Sequence, residues 1–271
     1  MIFVDSHVHI YDCFDLDLLL DSALSNFQKV AEQHRTAQNP LSYVLLLTEG
    51  KTESWFQTLS ATLDANRQCK ITERWSAVDS GDVESLTVYR NDVPEEEIHV
   101  VAGRQVVTVE NIEVLALFVK QGITNGLSLH ETVDRVKELG GIPVLPWGAG
   151  KWFGKRGKII KKLLVNHKKG NLFLGDNGGR PRFWPTPNLF SLAEKTGLVV
   201  LPGSDPLPLP SEALRVGHFG FYLHENSLDG DSPTKCLKKA LLSTEVTISP
   251  FGCLQENRLF FLNQFRLRRL S

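Results

Sequence analysis

The stretch Ile2-Phe3-Val4-Asp5-Ser6-His7-Val8-His9-Ile10 opens the chain and decides how the rest is read. Apolar residues bracket its polar ones, so residues 2–10 read as a buried strand. Side chains on a strand alternate between its faces, which sends Asp5, His7 and His9 to one side. Two imidazoles at i and i+2 can chelate one metal ion, with Asp5 as a third ligand or as an acceptor behind the ligands. The plain alternative is three polar residues on a wet strand face. Ile2, Phe3, Val4 and Ile10 weigh against it.

Working outward, residues 16–38 carry Leu18, Leu19, Ala23, Leu24, Phe27, Val30 and Ala31 at helical spacing. Asn39-Pro40 stops that helix. Residues 43–47 form a second buried strand, and residues 53–66 a second helix with Trp55, Phe56, Leu59 and Leu63 on one face. The middle differs. Residues 70–77, 85–90, 98–109 and 112–119 all read as strands joined by short polar turns. This β-rich section, about residues 70–119, is either a meander grafted onto a barrel or a set of barrel strands with an antiparallel extension.

Alternation then resumes. Residues 128–139 form a helix, with Ser128 as N-cap, Glu131 completing a capping box and Gly140-Gly141 ending it. Strand 142–146, helix 155–167, strand 172–174, helix 187–196 closed by Gly197, and strand 198–201 follow. Residues 233–242 are helical, and a basic tail covers 265–271. Strands alternating with helices imply parallel pairing. The expectation is one α/β domain over residues 1–271, built as a β/α barrel, which needs about 250 residues.

The totals exclude more than they assign. With 271 residues the chain can bury a sizeable core. A formal net charge of −1 points to neither nucleic acid nor an anionic membrane. Cys13, Cys69, Cys236 and Cys253 lie far apart and form no CxxC pair, so a zinc ribbon or disulfide framework is not expected. No basic segment leads an apolar run at the N-terminus, and no apolar run approaches the roughly 18 residues of a membrane span. A cytoplasmic location is the expectation.

Two more stretches carry candidate chemistry. Gly175-Asp176-Asn177-Gly178-Gly179-Arg180-Pro181 follows a strand, and in a barrel its loop opens onto the face where sites form. There Asp176 is a candidate replacement ligand, Asn177 a substrate-orienting amide, and Arg180 a bidentate anion holder. A glycine-rich turn with an Asx hydrogen bond accounts for the same residues equally well. Gly148-Ala149-Gly150-Lys151 lies between a strand and a helix. It is not a Walker A loop, because Leu145 holds the first-glycine position and Trp152 follows the lysine. Its amides could cradle an anion, with Lys151 as the facing cation. The run Lys151, Lys155, Arg156, Lys158, Lys161, Lys162, Lys168 and Lys169 reads as a solvated helix face.

The opening Asp5-Ser6-His7-Val8-His9 resembles the first motif of the polymerase-and-histidinol-phosphatase (PHP) metal phosphoesterases, and more broadly the amidohydrolases. Residues 140–146 resemble the PHP strand that leads to a His-Pro pair. Leu198-Val199-Val200-Leu201-Pro202-Gly203-Ser204-Asp205 resembles the late strand ending in Gly-Ser-Asp-Ala-His. The resemblance implies a distorted TIM-like (β/α)7 barrel with up to three divalent metals that bind phosphate and activate water. It makes His7, His9 and Asp205 metal ligands. Asp12 is placed where an early carboxylate could join them, and His218 is a further candidate.

The chain departs from that pattern at three positions. Gln105 stands where the bridging glutamate would fall, and a neutral amide bridges a hard cation poorly. Pro146-Trp147 replaces His-Pro, and Pro206-Leu207 replaces the histidine after Gly-Ser-Asp. The implied cofactor is therefore one divalent ion (Zn, Mn or Fe) rather than three. Three readings stay open. The first is a metal-dependent phosphoesterase, with Asp5 and Asp176 assisting catalysis, and Lys151, Asn177 and Arg180 binding a small anionic substrate such as a phosphoester. The second is a non-catalytic barrel that binds an anionic ligand or a protein partner. The third is an amidohydrolase-type C–N or C–O hydrolase. Nucleic acid and membrane are not expected as partners.

Overall fold

The computed structural model describes residues 1–34, 41–167, 170–224 and 232–270. In chain order the first elements are β1 (Ile2–Val8), α1 (Leu16–His34), β2 (Ser42–Leu47), α2 (Trp55–Ala61), β3 (Gln68–Lys70), β4 (Trp75–Asp79), β5 (Ser85–Arg90) and β6 (Glu97–Val101). Next come β7 (Gly103–Val107), β8 (Glu113–Leu117), α3 (Leu129–Glu138), β9 (Ile142–Pro146), α4 (Gly154–Val165), β10 (Phe173–Asn177) and α5 (Asn188–Thr196). The last are β11 (Val200–Gly203), a 3-10 turn at Pro210–Arg215, β12 (Gly220–Leu223), α6 (Pro233–Leu242), β13 (Ser249–Phe251) and α7 (Asn257–Leu270). Residues 35–38 of the first expected helix, its Asn39-Pro40 stop, Lys168, Lys169 and Ser271 lie outside the described residues.

Strand alternation sets the layers. On β1, Phe3 enters one apolar cluster while Ile2 and Val4 enter another. On β2, Leu45 and Leu47 join Phe3, whereas Val44 and Leu46 join Ile2 and Val4. The first cluster lies under α1, which contributes Leu19, Leu20, Ala23, Leu24, Phe27 and Ala31 at helical spacing. Burying each of the larger of these side chains is worth about 1.5–3 kcal/mol relative to exposure. The second cluster fills the space between the two sheets. There Val44 and Leu46 meet Leu115, Leu117, Val144, Phe173 and Leu201. A third cluster joins the far face of the second sheet, through Val114, Ala116 and Leu145, to α3, α4 and α5.

The expected (β/α)7 barrel is corrected by the strand pairing. The described residues form an eight-stranded sheet, β13-β12-β1-β2-β6-β5-β4-β3, and a five-stranded sheet, β11-β10-β9-β8-β7. Among the named strands of the described residues, β1–β2, β2–β6, β9–β10 and β10–β11 pair in parallel. The hairpins β4–β5, β5–β6 and β7–β8 and the pair β12–β13 are antiparallel, and a barrel of strand–helix repeats has no place for them. The split lies where one strand is expected over residues 98–109. The chain leaves β6 in one sheet and enters β7 in the other at Gly103. A Cβ there would stand 2.1 Å from the Leu47 carbonyl oxygen, so the crossing requires glycine. The sheets touch again at β1 and β11, where the Asp205 amide donates to the His7 carbonyl at 2.8 Å.

Local signals hold well. The Ser128 hydroxyl and the Glu131 carboxylate cap α3 reciprocally, as the capping box predicts. Gly197 closes α5 in the left-handed conformation, with φ +73°.

Candidate metal centre

The HxH motif is aimed by a defect in β1. Asp5 pairs with Leu45 and Val8 with Leu47, so three steps on β1 match two on β2. One extra residue is a β-bulge, and it inverts the alternation. Phe3 before the bulge and Val8 after it therefore share the α1-side cluster, although an odd number of positions separates them. His7 and His9 face the opposite side, toward the second sheet. The expectation that Asp5 points with them is corrected for this reason.

Asp5 is fully buried and its carboxylate is occupied by backbone amides. Oδ1 accepts from Ser204 at 2.8 Å and from His7 at 3.3 Å, and Oδ2 accepts from Gly217 at 2.8 Å. Burial pushes this carboxyl up to about 6, against the downward pull of those hydrogen bonds. Asp5 thereby ties β1 to the loops after β11 and before β12. Gly203 completes the seam: a Cβ there would lie 2.4 Å from the His7 nitrogen.

That seam brings three ligand atoms together. Among the described residues, His7, His9 and Asp205 form a group whose ligand atoms all lie within 4.8 Å of one another. His7 Nε2 stands 3.2 Å from His9 Nε2 and 3.4 Å from Asp205 Oδ1, and His9 Nε2 is 3.8 Å from the same oxygen. Asp205 sits just past β11 with φ +46°, a left-handed conformation uncommon for a residue other than glycine. The Asn177 side-chain amide donates to Asp205 Oδ2, leaving Oδ1 toward the imidazoles.

The surroundings fit a cation. His9 Nδ1 meets Glu53 Oε2 at 2.9 Å, a contact that puts the proton on Nδ1 and the lone pair on Nε2. Burial pulls His9 down, but the Glu53 hydrogen bond and the charges of Asp205, Glu53 and Glu113 outweigh it and leave the imidazole above its ordinary value. For His7 burial wins over the Asp205 charge, and the ring lies below its ordinary value. Gln105 hydrogen-bonds His7, and Tyr11 stacks on His9 at 5.3 Å. Two buried imidazole nitrogens and one carboxylate oxygen, backed by further carboxylates, suit Zn²⁺, Mn²⁺ or Fe²⁺.

The other expected site residues are placed differently. Asp176 and Arg180 form a bidentate pair with each other, at 2.9 and 2.7 Å, and Arg180 is 6% exposed, so its fork is already filled. Asn177 serves Asp205, while its own Oδ1 accepts from the Gly179 amide at 2.6 Å. Lys151 pairs with Glu113. Asp12 is exposed in the turn after β1 and stands outside the cluster. His218 lies elsewhere, 3.5 Å from the Cys253 sulfur. Trp147 is buried against Trp184, with ring centroids 5.6 Å apart.

Glu53 and Glu113 do not stand out in the sequence. The apolar spacing makes Glu53 the first residue of a helix, whereas α2 starts at Trp55 and leaves Glu53 in the loop after β2. Its one signal is an acidic residue just past a buried strand. It lines two cavities of about 290 and 270 Å³, one beside Gln105 and one beside Tyr11.

No family model matches the chain. It is 39% identical over 49 residues to the uncharacterized protein MJ1587 of Methanocaldococcus jannaschii. That match covers 18% of this chain and only 28% of that protein. The crystal structure of PsfC from Pseudomonas syringae PB-5123 superposes with a TM-score of 0.58 at 15% identity, covering 99% of this chain and 98% of that one. PsfC thus shares the fold. Weaker overlaps are with endonuclease Q bound to a 27-mer duplex with an abasic lesion (TM-score 0.45, 12% identity, 88% of this chain and 56% of that one) and with the Pyrococcus furiosus endonuclease (TM-score 0.44, 10% identity, 89% and 55%).

The exclusion of nucleic acid drawn from net charge is corrected. Charge is unevenly spread along this chain: α7 carries Arg258, Arg266, Arg268 and Arg269 and no acidic residue. A near-neutral total hides such a patch. Among the described residues, no helix is long and apolar enough to cross a membrane.

Proposed function

We propose that this chain is a metal-dependent hydrolase of phosphoesters, a divergent relative of the PHP group with one metal rather than three. The observation that carries the reading is the convergence of His7 Nε2, His9 Nε2 and Asp205 Oδ1 at the β1–β11 seam, with His9 Nδ1 held by Glu53. A divalent ion bound there supplies a water of lowered pKa and polarises a phosphoryl oxygen. The chain's own part is to hold the ligands. Glu53 fixes the His9 tautomer, Asn177 orients Asp205, and Asp5 locks β1 to the Ser204 loop. Asp5 is thus a positioning residue in this reading, and Asn177 acts on the ligand Asp205 rather than on substrate. Lys151, screened by Glu113 in the resting protein, is the nearby cation that a substrate phosphate would draw away from its partner.

The test is direct. Protein purified without a histidine tag is expected to carry close to one equivalent of Zn, Mn or Fe, and to hydrolyse an aryl phosphodiester only when loaded. Asp205→Asn is expected to lose both properties. Wild-type protein that binds none of these ions, and gains no thermal stability from them, refutes the reading.

A further inference from the structure

The loops after β9 and β10 enclose an aromatic cleft of about 430 Å³ that the proposed chemistry does not use. Trp147, Trp152, Phe153, Phe183 and Trp184 line it. Trp184 is the hub: its ring meets Trp147 at 5.6 Å, Phe183 at 6.2 Å and Phe153 at 6.3 Å. Trp147 forms the buried floor and Trp152 and Trp184 pack on the core beside it, while Phe153 and Phe183, 62% and 50% exposed, stand open at the mouth.

Two chains of contacts link the cleft to the His7–His9–Asp205 cluster. On one side the Trp184 carbonyl accepts from Arg180, Arg180 pairs with Asp176, and the next residue, Asn177, grips Asp205. On the other side Lys151 turns back on Gly148, which lines the cleft, and pairs with Glu113, whose charge reaches both imidazoles. The aromatic surface also runs outward. Phe183 stacks parallel to Phe261 of α7 at 5.7 Å, and Arg269 lies 4.3 Å over the Phe265 ring. Phe261, Phe265, Arg266 and Arg269 are all exposed, and α7 has no acidic residue.

We infer that the cleft and α7 together form a binding track for single-stranded nucleic acid, with an unpaired base held against Phe153 and Trp184 over the Trp147 floor and the backbone phosphates along the α7 arginines. Aromatic faces interleaved with arginine match a strand of bases and phosphates in both chemistry and charge. A duplex hides its base faces, so it does not fill the cleft. An anionic membrane suits α7 alone but is too flat to enter the cleft. The inference rests on the phosphoester reading only for its end point, which places a backbone ester at the metal cluster.

The test is fluorescence anisotropy with a labelled 12-mer as single-stranded DNA, as single-stranded RNA and as the DNA duplex, all in EDTA. Working without metal separates this inference from the catalytic reading: binding survives if that reading fails, and metal binding survives if this one does. Saturable binding of a single strand is expected, with the duplex at least about tenfold weaker, and the two single-strand arms decide between DNA and RNA. Tryptophan fluorescence is expected to be quenched on binding. Phe153→Ala and Trp184→Ala are each expected to weaken the single strand about tenfold. The exposed Phe153 site keeps the test valid if Trp184→Ala fails to fold. The double variant Arg266→Glu/Arg269→Glu is expected to flatten the dependence of log affinity on log salt by about 1.4. The inference is overturned by the absence of saturable single-strand binding at low salt, by equal binding in all the variants, or by binding to phosphatidylserine vesicles without binding to the oligonucleotides.

Discussion

The ends of β1 and β11 and the ends of β9 and β10 present polar loops built from the same residue types, yet they resolve in opposite ways. At the β1–β11 seam, Asp5, Glu53 and the neighbouring Asn177 of β10 spend their hydrogen bonds on the backbone, on His9 or on Asp205. What remains free is one carboxylate oxygen facing two imidazole nitrogens. At the ends of β9 and β10, Asp176 is closed by Arg180 and Lys151 by Glu113, and the open surface is aromatic. A charged residue at a strand end therefore signals a site only when its charge is not already cancelled by a neighbour. The residues beside it decide that, not its own identity.

The largest effect that can break this contrast is on metal affinity. His7→Ala and Asp205→Ala are each expected to weaken Mn²⁺ or Zn²⁺ binding at least about a hundredfold, since loss of an outer partner alone costs roughly 10–100-fold. Asp176→Ala is expected to leave the affinity unchanged in the same calorimetric titration. An equal loss in Asp176→Ala would erase the distinction between the two strand ends. Next comes Gly203→Ala. Its new Cβ would meet backbone at 2.4 Å, so a loss of about 2–3 kcal/mol by urea unfolding is expected, together with weakened metal binding. Gly175→Ala, on the other pair of strands, meets Pro146 at 3.1 Å and is expected to cost under about 1 kcal/mol with no change in metal affinity.

Smaller and sharper is Glu53→Gln. It keeps a hydrogen-bond acceptor for His9 but removes the charge, and about a tenfold loss of metal affinity is expected. A loss as large as that of Asp205→Ala would make Glu53 itself a ligand. The smallest expected effect is that of Lys151→Met, which removes only a partly exposed ion pair. It is expected to leave stability within about 1 kcal/mol and metal affinity unchanged, while raising the substrate concentration needed for half-maximal rate.

The legibility of the two regions differs for a physical reason. His7 and His9 are readable because two imidazoles at i, i+2 inside an apolar frame are costly to bury unless they share a polar partner. Asp205 is readable only through a resemblance, because its partners lie nearly 200 residues away. The placement of Asp5 with the histidines fails on one inserted residue. Periodicity assumes an unbroken pleat, and nothing in Asp5-Ser6-His7 marks the bulge. Asp176, Arg180 and Lys151 look like free groups in the sequence because ion pairing is a property of packing. The (β/α)7 barrel fails at residues 98–109, where two apolar stretches joined through Gly103-Arg104-Gln105 read as one strand and conceal a change of sheet at Gly103.

By itself the sequence determined the elements that depend on local chemistry. These include β1 and its histidines, the capped helix α3, the glycine stop of α5 and the apolar stripe of α1. Each follows from contacts within a few residues. Only the tertiary structure decided that the strands form two facing sheets, that His7 and His9 turn toward Asp205 while Asp5 turns away, and that Glu53 completes the group. Those outcomes depend on the register between distant strands. A shift of a single residue inverts which side chains meet, and composition and spacing do not record it.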